Sequence, residues 1–284
     1  LGANQYVIKI RGQDIAKGDL FPDCYLAIDS GAITKSIDGM KTTDPAYGLP
    51  ALWITGAVKD EAEASGYTIV DPVSVMITHL TEIIKNHAYE ILCREDVQKL
   101  IENLKKESPS LVEELTPSVM PLGSVQEVLK NLLKEQIPIR DMATILETIA
   151  DYVTATKDTE LLTEYVRQRL SRTICQKYQN VEGKIGVISF DPQLEQTIAN
   201  AIHKTDRGNI LALEPIMAQK LIDKLTEVIR GSLATGYESV LLTSSSIRSH
   251  IRHLIENALP QVAVLSYKEV SPGVKIDSLG IVKL

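Results

Sequence analysis

Three consecutive serines, Ser244, Ser245 and Ser246, follow the apolar run VLLT and precede a helical pattern. A strand that turns into a helix leaves backbone N–H groups free, so a nucleophile or a bound anion could sit there. With His250 as base, this would make a hydrolase. No glycines flank the serines as in G-x-S-x-G, and the plainer role is a helix N-cap. His250 and His253 are three apart on the same helix, a spacing that can share a metal. No Cys or third His follows at ligand spacing, Glu256 is the only acid nearby, and a solvated face is expected. His79 and His87 are eight apart, near one helix face but too distant to share an ion. Cys24, Cys93 and Cys175 show no CxxC spacing, which fits a reducing compartment and no disulfide framework. Neither GxxxxGK[ST] nor GxGxxG occurs, so the two commonest nucleotide signatures are missing. No metal and no cofactor is expected, and no catalytic constellation stands out.

The stretch TDPAYGLPALWI (43–54) is different in kind. Asp44-Pro45 favours turn initiation, Gly48 can take positive φ, and Pro50 biases Leu49 toward extended geometry. A segment so constrained loses little entropy on ordering and can hold an aromatic in a fixed place. Tyr47, with an apolar body and a polar tip, has the profile of an interface anchor. Taken from the residues alone, the plainer expectation is that it packs under the adjoining strand, with Trp53 filling the core.

These residues need elements to position them. YVIKIRG (6–12), CYLAID (24–29), ALWITGAV (51–58) and YTIV (67–70) read as strands, with KDEAEASG (59–66) a short helix stopped by Gly66. After Pro72 the period becomes helical: Val75, Ile77, Leu80, Ile83, Ile84, Ala88, Ile91 and Leu92 predict one long helix. Residues 94–178 read as helical throughout, broken at Pro109, 117–123 and Pro138. Ser124 and Glu127 form a capping box opening SVQEVLKNLLKEQ, and Asp158 caps one helix through LLTEYVRQRLSRTICQKY. Then IGVISF (185–190), VLLTSS (240–245), VAVLSYKEV (262–270) and VKIDSLGIVKL alternate as strands with helices DPQLEQTIANAIH, PIMAQKLIDKLTEVIRGSLATG closed by Gly236, and IRSHIRHLIENAL. That alternation implies right-handed crossovers and parallel pairing.

The 284 residues carry a net charge of −7, distributed as −5 over 1–93, −3 over 94–172 and +1 over 173–284. An acidic chain without a basic stripe is a poor nucleic-acid binder. The segment 128–152, VLKNLLKEQIPIRDMATILETIADY, has the outline of a helix-turn-helix. Its second helix would present acids to phosphates, so packing within a helical domain is the expectation. No apolar run approaches the ~20 residues that span a bilayer, and no secretory signal opens the chain. The chain does not begin with Met, as a fragment or processed product would not.

Three motifs in order, TDPAYGLPALWI, GYTIVDPVSVMITHLTEIIKNHAYEIL and VLKNLLKEQIPIRDMATILETIADY, resemble the cytoplasmic domain of the FlhA family, the flagellar members of the type III export-gate proteins. The resemblance runs nearly the whole length and is least distinctive in the last third. It implies an α+β multidomain chain: a strand-rich first domain (1–22 with 72–91, N-terminally incomplete), an inserted small α/β domain (23–71), an all-helical domain (92–172), and a C-terminal α/β domain with a partly parallel sheet (173–284). It further implies a non-catalytic docking platform, the soluble part of a membrane protein at the cytoplasmic face of the inner membrane. The implied partners are flagellar export chaperones with cargo, the export ATPase complex, other export-gate membrane proteins and its own copies in a nine-membered ring, but no nucleic acid. An equivalent component of a virulence type III system is the nearest alternative. The family's chaperone motif, an Asp and an aromatic in DPA(F/Y)G plus a Thr on the following helix, falls on Asp44, Tyr47 and Thr78. Many relatives have Phe where this chain has Tyr, and a buried hydroxyl would need a partner. With these residues, Val70 and Val75 would line an apolar dimple around Tyr47, with Asp44 and Thr78 as polar rim groups.

Overall fold

The computed structural model describes residues 2–115, 119–205, 208–232 and 236–284. The fold is α+β and divides into two compact units, Leu1–Ile91 and Leu92–Leu284.

In the first unit, β1 (Gln5–Ile10) and β2 (Gln13–Asp19) form an antiparallel pair joined by Arg11 and Gly12, both at positive φ. β2, and the strand Met40–Thr43 described next, go beyond the four strands expected here. The strands β3 (Cys24–Ile28), β4 (Met40–Thr43), β5 (Pro50–Thr55) and β6 (Thr68–Val70) make an antiparallel sheet in the order β4-β5-β3-β6. Successive side chains of a strand face opposite ways, and here both faces are covered, so β3 and β5 read as continuous apolar runs. Ala27 and Ile54 pack with Ala62 of α1 (Lys59–Ala64) and Tyr67. Leu26, Ala51 and Trp53 pack with Val75 of α2 (Pro72–Ile91). Asp71 caps α2, its carboxylate accepting from the Ser74 N–H at 3.0 Å and the Ser74 hydroxyl at 2.5 Å. These two bonds hold the Asp71 pKa below its ordinary value. The helical spacing in α2 marks two faces, not one core stripe: Val75 is buried, whereas Ile77, Leu80, Ile84 and Ile91 are exposed.

The second unit opens with α3 (Arg94–Glu107), α4 (Pro109–Leu115), α5 (Leu122–Lys134), α6 (Met142–Val153), α7 (Thr159–Arg169) and α8 (Ser171–Tyr178). Asp158 caps α7 as expected, accepting from Glu160 N–H at 2.9 Å. Two expectations fail here. Ser124 is not a cap: Pro121, fixed in extended geometry, precedes the helix, and its carbonyl accepts the Ser124 N–H at 2.9 Å. The helix through 161–178 is two, broken at Leu170, which stays in the core between Val166 and Ile174. The expected break over 117–123 begins outside the described residues; 119–121 are not helical, but α5 already starts at Leu122, so Gly123 lies in the helix. The two apolar faces of the helix-turn-helix outline, Val125, Val128, Leu129 and Leu132 against Ile145, Leu146 and Ile149, are core, as charge argued.

After Asn180 come β7 (Lys184–Phe190), α9 (Pro192–Asn200), the hairpin β8 (Ile202–Thr205) and β9 (Gly208–Leu211), α10 (Pro215–Ser232), β10 (Val240–Thr243), α11 (Arg248–Ile255), β11 (Ala263–Ser266) and β12 (Lys275–Val282). The hairpin replaces the end of the expected helix through His203, and the stretch just before Gly236 lies outside the described residues. β11, β10, β7 and β12 make one parallel sheet in that order, so the expected crossovers are present. One face packs on α9, α10 and α11, and the other on the helices α3 to α8. The run 262–270 is strand only to Ser266, because the Glu269 carboxylate turns back to accept the Ser266 N–H at 2.5 Å and coils Tyr267–Glu269 into a 3₁₀ turn.

Candidate functional site

The turn Asp44–Gly48 joins β4 to β5. Backbone bonds close it, Asp44 N–H to Leu49 O at 2.8 Å and Gly48 N–H to Asp44 O at 2.9 Å, with Gly48 at φ +70 where a side chain would be strained. The Asp44 carboxylate accepts the Tyr47 N–H at 2.7 Å. Asp44 is only 4% exposed and Tyr47 is 61% exposed. The buried acid therefore acts as an Asx-type cap that ties down the backbone and leaves the aromatic ring outside. The packing alternative for Tyr47 is excluded in this conformation. Trp53 takes the core role, edge-on to Phe21 with ring centroids 5.4 Å apart. Behind the turn, Pro45 and Asp44 border a cavity of about 440 Å³ shared with Val7, Lys17, Asp19 and Trp53.

Two details differ from the sequence expectation. Asp44 is not a rim group, since its oxygen is spent on the turn's own backbone. Val75 is not a lining residue: at 2% exposure it belongs to the core with Leu26 and Trp53. Thr78 and Val70 are both half-buried.

Sequence reasoning weighed His79 only against His87 as a metal pair and passed over Tyr6. The Tyr6 hydroxyl and His79 Nδ1 are 2.7 Å apart, with the rings edge to face at 5.7 Å. Burial lowers the His79 pKa and the Asp44 charge opposes that, while burial, Asp44 and Asp19 all raise the Tyr6 pKa. His87, by contrast, reaches Glu90 at 2.8 Å on a more open side of α2. The available signal was that His79 falls at i+4 from Val75 on α2, the helix face that is buried.

The serine turn does not assemble as a hydrolase. Ser244 Oγ and Ser246 Oγ are 3.0 Å apart, and the Ser244 N–H donates to Glu195 Oε1 at 2.5 Å. Among the described residues no hydrogen bond joins His250 to these serines, and burial lowers the His250 pKa. Neither does a serine side chain cap α11, which begins after Ile247. Among the described residues no group of three or more His, Cys, Asp or Glu could hold a metal, and no helix is long and apolar enough to cross a membrane.

A second polar cluster, unforeseen, lies inside the second unit. Arg167 is 1% and Arg248 is 2% exposed. Arg167 Nε donates to Glu269 Oε1 at 2.6 Å and its Nη1 lies 2.9 Å from Glu135 Oε2. Arg248 Nε donates to Glu164 Oε2 at 2.6 Å, its Nη2 completes a forked pair with Glu164, and its Nη1 reaches Glu135 at 2.9 Å. Both guanidiniums also donate to the Val264 carbonyl. Burial alone would raise the Glu135 pKa, but Arg167 and Arg248 outweigh it and hold it down to about 2.

Fold and site together define a two-unit α+β protein that displays a rigid aromatic turn and keeps its densest charge cluster inside. The chain belongs to the FHIPEP family, whose model matches residues 1–275. It is 40% identical over 284 residues to the flagellar biosynthesis protein FlhA of Bacillus subtilis, covering 100% of this chain and 42% of that protein. The chain thus spans about two fifths of the length of that relative. Among solved structures, the Chlamydia pneumoniae CdsV protein superposes with a TM-score of 0.89 at 31% identity, over 100% of this chain and 82% of that one. CdsV solved in complex with CdsO gives 0.83 at 30% identity, over 100% and 81%. The nonameric EscV cytosolic domain from the type III secretion system gives 0.73 at 25% identity, over 95% and 80%.

Proposed function

We propose that this chain is the cytoplasmic part of a flagellar export-gate protein and serves, without catalysis, as a docking platform for export chaperones carrying cargo. The observation that carries this reading is the exposed Tyr47 ring on a turn capped by buried Asp44. An aromatic held rigid in solvent by its own backbone gives up little entropy on binding, which suits an interface anchor. Tyr47 makes the primary contact, Val70 and Thr78 lie toward the surface, and Asp44 and Val75 support from behind. The four-domain division at 22/23, 71/72, 91/92 and 172/173 belongs to the same reading. So do contact with the export ATPase complex and with other export-gate membrane proteins, and placement at the inner face of the cell membrane. Self-association into a ring is supported by the nonameric EscV domain, and the CdsV–CdsO complex supports a further partner on this fold.

Titration with the cognate chaperone–cargo pair tests the site. Tyr47→Ala weakens binding at least tenfold, about 1.4 kcal/mol, with an unchanged melting curve. Unchanged affinity would remove Tyr47 from the interface. The virulence-system alternative predicts instead that a virulence chaperone, and not a flagellar one, is retained in the same titration.

A further inference from the structure

The buried charge cluster of the second unit borders a cavity of about 130 Å³, set between the end of α5, α8 and β11 with the loop before it. At ~30 Å³ for each water of the liquid, that is room for about four, and enough for a tetrahedral oxyanion with its four oxygens. Arg167 is the deepest cation on the lining. Its Nε donates to Glu269 and its Nη2 to the Val264 carbonyl, but the buried Nη1 makes no hydrogen bond among the described residues. Glu135 Oε2 stands 2.9 Å from Nη1, near enough for charge pairing, yet it accepts its hydrogen bond from Arg248 Nη1 instead. A buried donor left unmet is costly, and protein interiors nearly always supply it with a partner.

Three more cations line the same space. Arg252 is half-buried and fixed by donation to the Val262 carbonyl at 2.9 Å, while Lys134 and Lys177 are exposed at the rim. Against these four cations stand two carboxylates, Glu135 and Glu238, so the lining carries +2. Arg248, Glu164 and Glu269, which lie behind it, bring the whole cluster to +1. Burial pushes the Tyr178 pKa up to about 12, so its hydroxyl on the same lining remains a donor at neutral pH.

We propose that this cavity binds one small oxyanion of the phosphate class, gripped by Arg167 and Arg252 with Lys134 and Lys177 at its mouth. The anion supplies the acceptor that Arg167 Nη1 lacks and offsets the surplus positive charge. Water meets the first need and not the second, and a metal cation would face four positive groups. Planar guanidiniums suit the geometry of an oxyanion, and a charged acceptor makes the stronger hydrogen bonds. The occupied site joins α5, α8 and β11, and it is independent of the docking turn.

The test is a titration of the 284-residue chain with sodium phosphate at about pH 7, where these arginines, lysines and carboxylates are all charged. Sodium chloride holds the ionic strength constant, and binding is followed by calorimetry and by the Arg167 Nε–H resonance. One phosphate per chain is expected, with the Arg167 signal moving along the calorimetric isotherm and the melting temperature rising with phosphate concentration. Arg252→Gln removes one gripping guanidinium and is expected to weaken binding at least tenfold. Lys177→Gln removes a rim charge without touching the buried pairs, should weaken binding several-fold, and serves even where Arg252→Gln does not fold. No phosphate-dependent heat, an Arg167 shift that chloride alone reproduces, or an affinity unchanged in either variant overturns the proposal and leaves the cavity to water.

Discussion

The aromatic turn and the Arg167–Arg248 cluster both place carboxylates in the interior, with opposite consequences. Asp44 spends its charge on a backbone N–H three residues away, and what results is a surface: Tyr47 is held out in solvent. Glu135, Glu164 and Glu269 spend theirs on two guanidiniums supplied from 32 to 113 residues away in sequence, and both guanidiniums are buried. A local acid shapes a feature that a partner can meet. A set of non-local acids fastens α5 and α7 to the sheet and α11. The difference teaches where to look for a docking function: at polar groups that are buried yet serve an exposed neighbour.

The comparison breaks first if the internal cluster proves dispensable. Arg248→Ala leaves Glu164 buried without its forked partner and Glu135 with one guanidinium fewer, and removing one member of a buried ion pair costs roughly 3–5 kcal/mol. Urea denaturation is expected to show that loss. A change under about 1 kcal/mol would mean that water or a rearranged side chain replaces the arginine, and the cluster would lose its role as a fastener.

Acid is the next probe. Glu135 has its pKa held down to about 2 against an ordinary 4.5, so its stabilisation is complete above pH 4.5 and is lost as pH falls from there toward 2. The shift corresponds to ~3 kcal/mol. Thermal melts across that window should show the decline in the parent chain and a shallower one in Glu135→Gln. An equally steep decline in the variant would place the acid sensitivity elsewhere.

The legibility of the two regions in the sequence differs for the same reason as their roles. The turn is written in adjacent residues: Asp44-Pro45 starts it, Gly48 permits the positive φ, and Pro50 ends it, so its geometry follows from local rules. Tyr47's exposure was not settled locally, because it depends on which side chains fill the core under β5, and those are Trp53 and Leu26. In α2, helical spacing showed a helix but not which apolar residues were buried; Val75 is and Ile77 is not. The ion cluster was invisible. Arg167, Arg248 and Glu164 sit on amphipathic helices where charges usually face solvent, Glu135 ends α5 and Glu269 lies in the 3₁₀ turn after β11, and no spacing rule joins such scattered positions. The parallel sheet, in contrast, followed from strand–helix alternation alone, while the hairpin after α9 had no such pattern to announce it.

Asp44→Ala sharpens the comparison at the other region. Loss of an Asx-type cap costs about 1–2 kcal/mol, less than the arginine variant because one backbone N–H is orphaned rather than two charges. Chaperone affinity should fall with it, since Tyr47 then samples other positions. Asp44→Asn, which keeps a side-chain acceptor, should recover most of both. Equal losses in Ala and Asn would show that the charge rather than the hydrogen bond matters.

The smallest effect is expected from Tyr47→Phe. The hydroxyl matters to stability only if it is buried or paired. At 61% exposure the ring keeps its tip in water, so its removal should change stability by less than ~0.5 kcal/mol, the ordinary range for surface substitutions. Binding separates two cases. If the partner's pocket is apolar throughout, Phe binds as well as Tyr or slightly better, because no hydroxyl has to be desolvated. If Phe binds more than tenfold weaker, the hydroxyl finds a hydrogen-bond partner on the chaperone, and the surface presented by this turn is then a polar-tipped anchor instead of a purely apolar one.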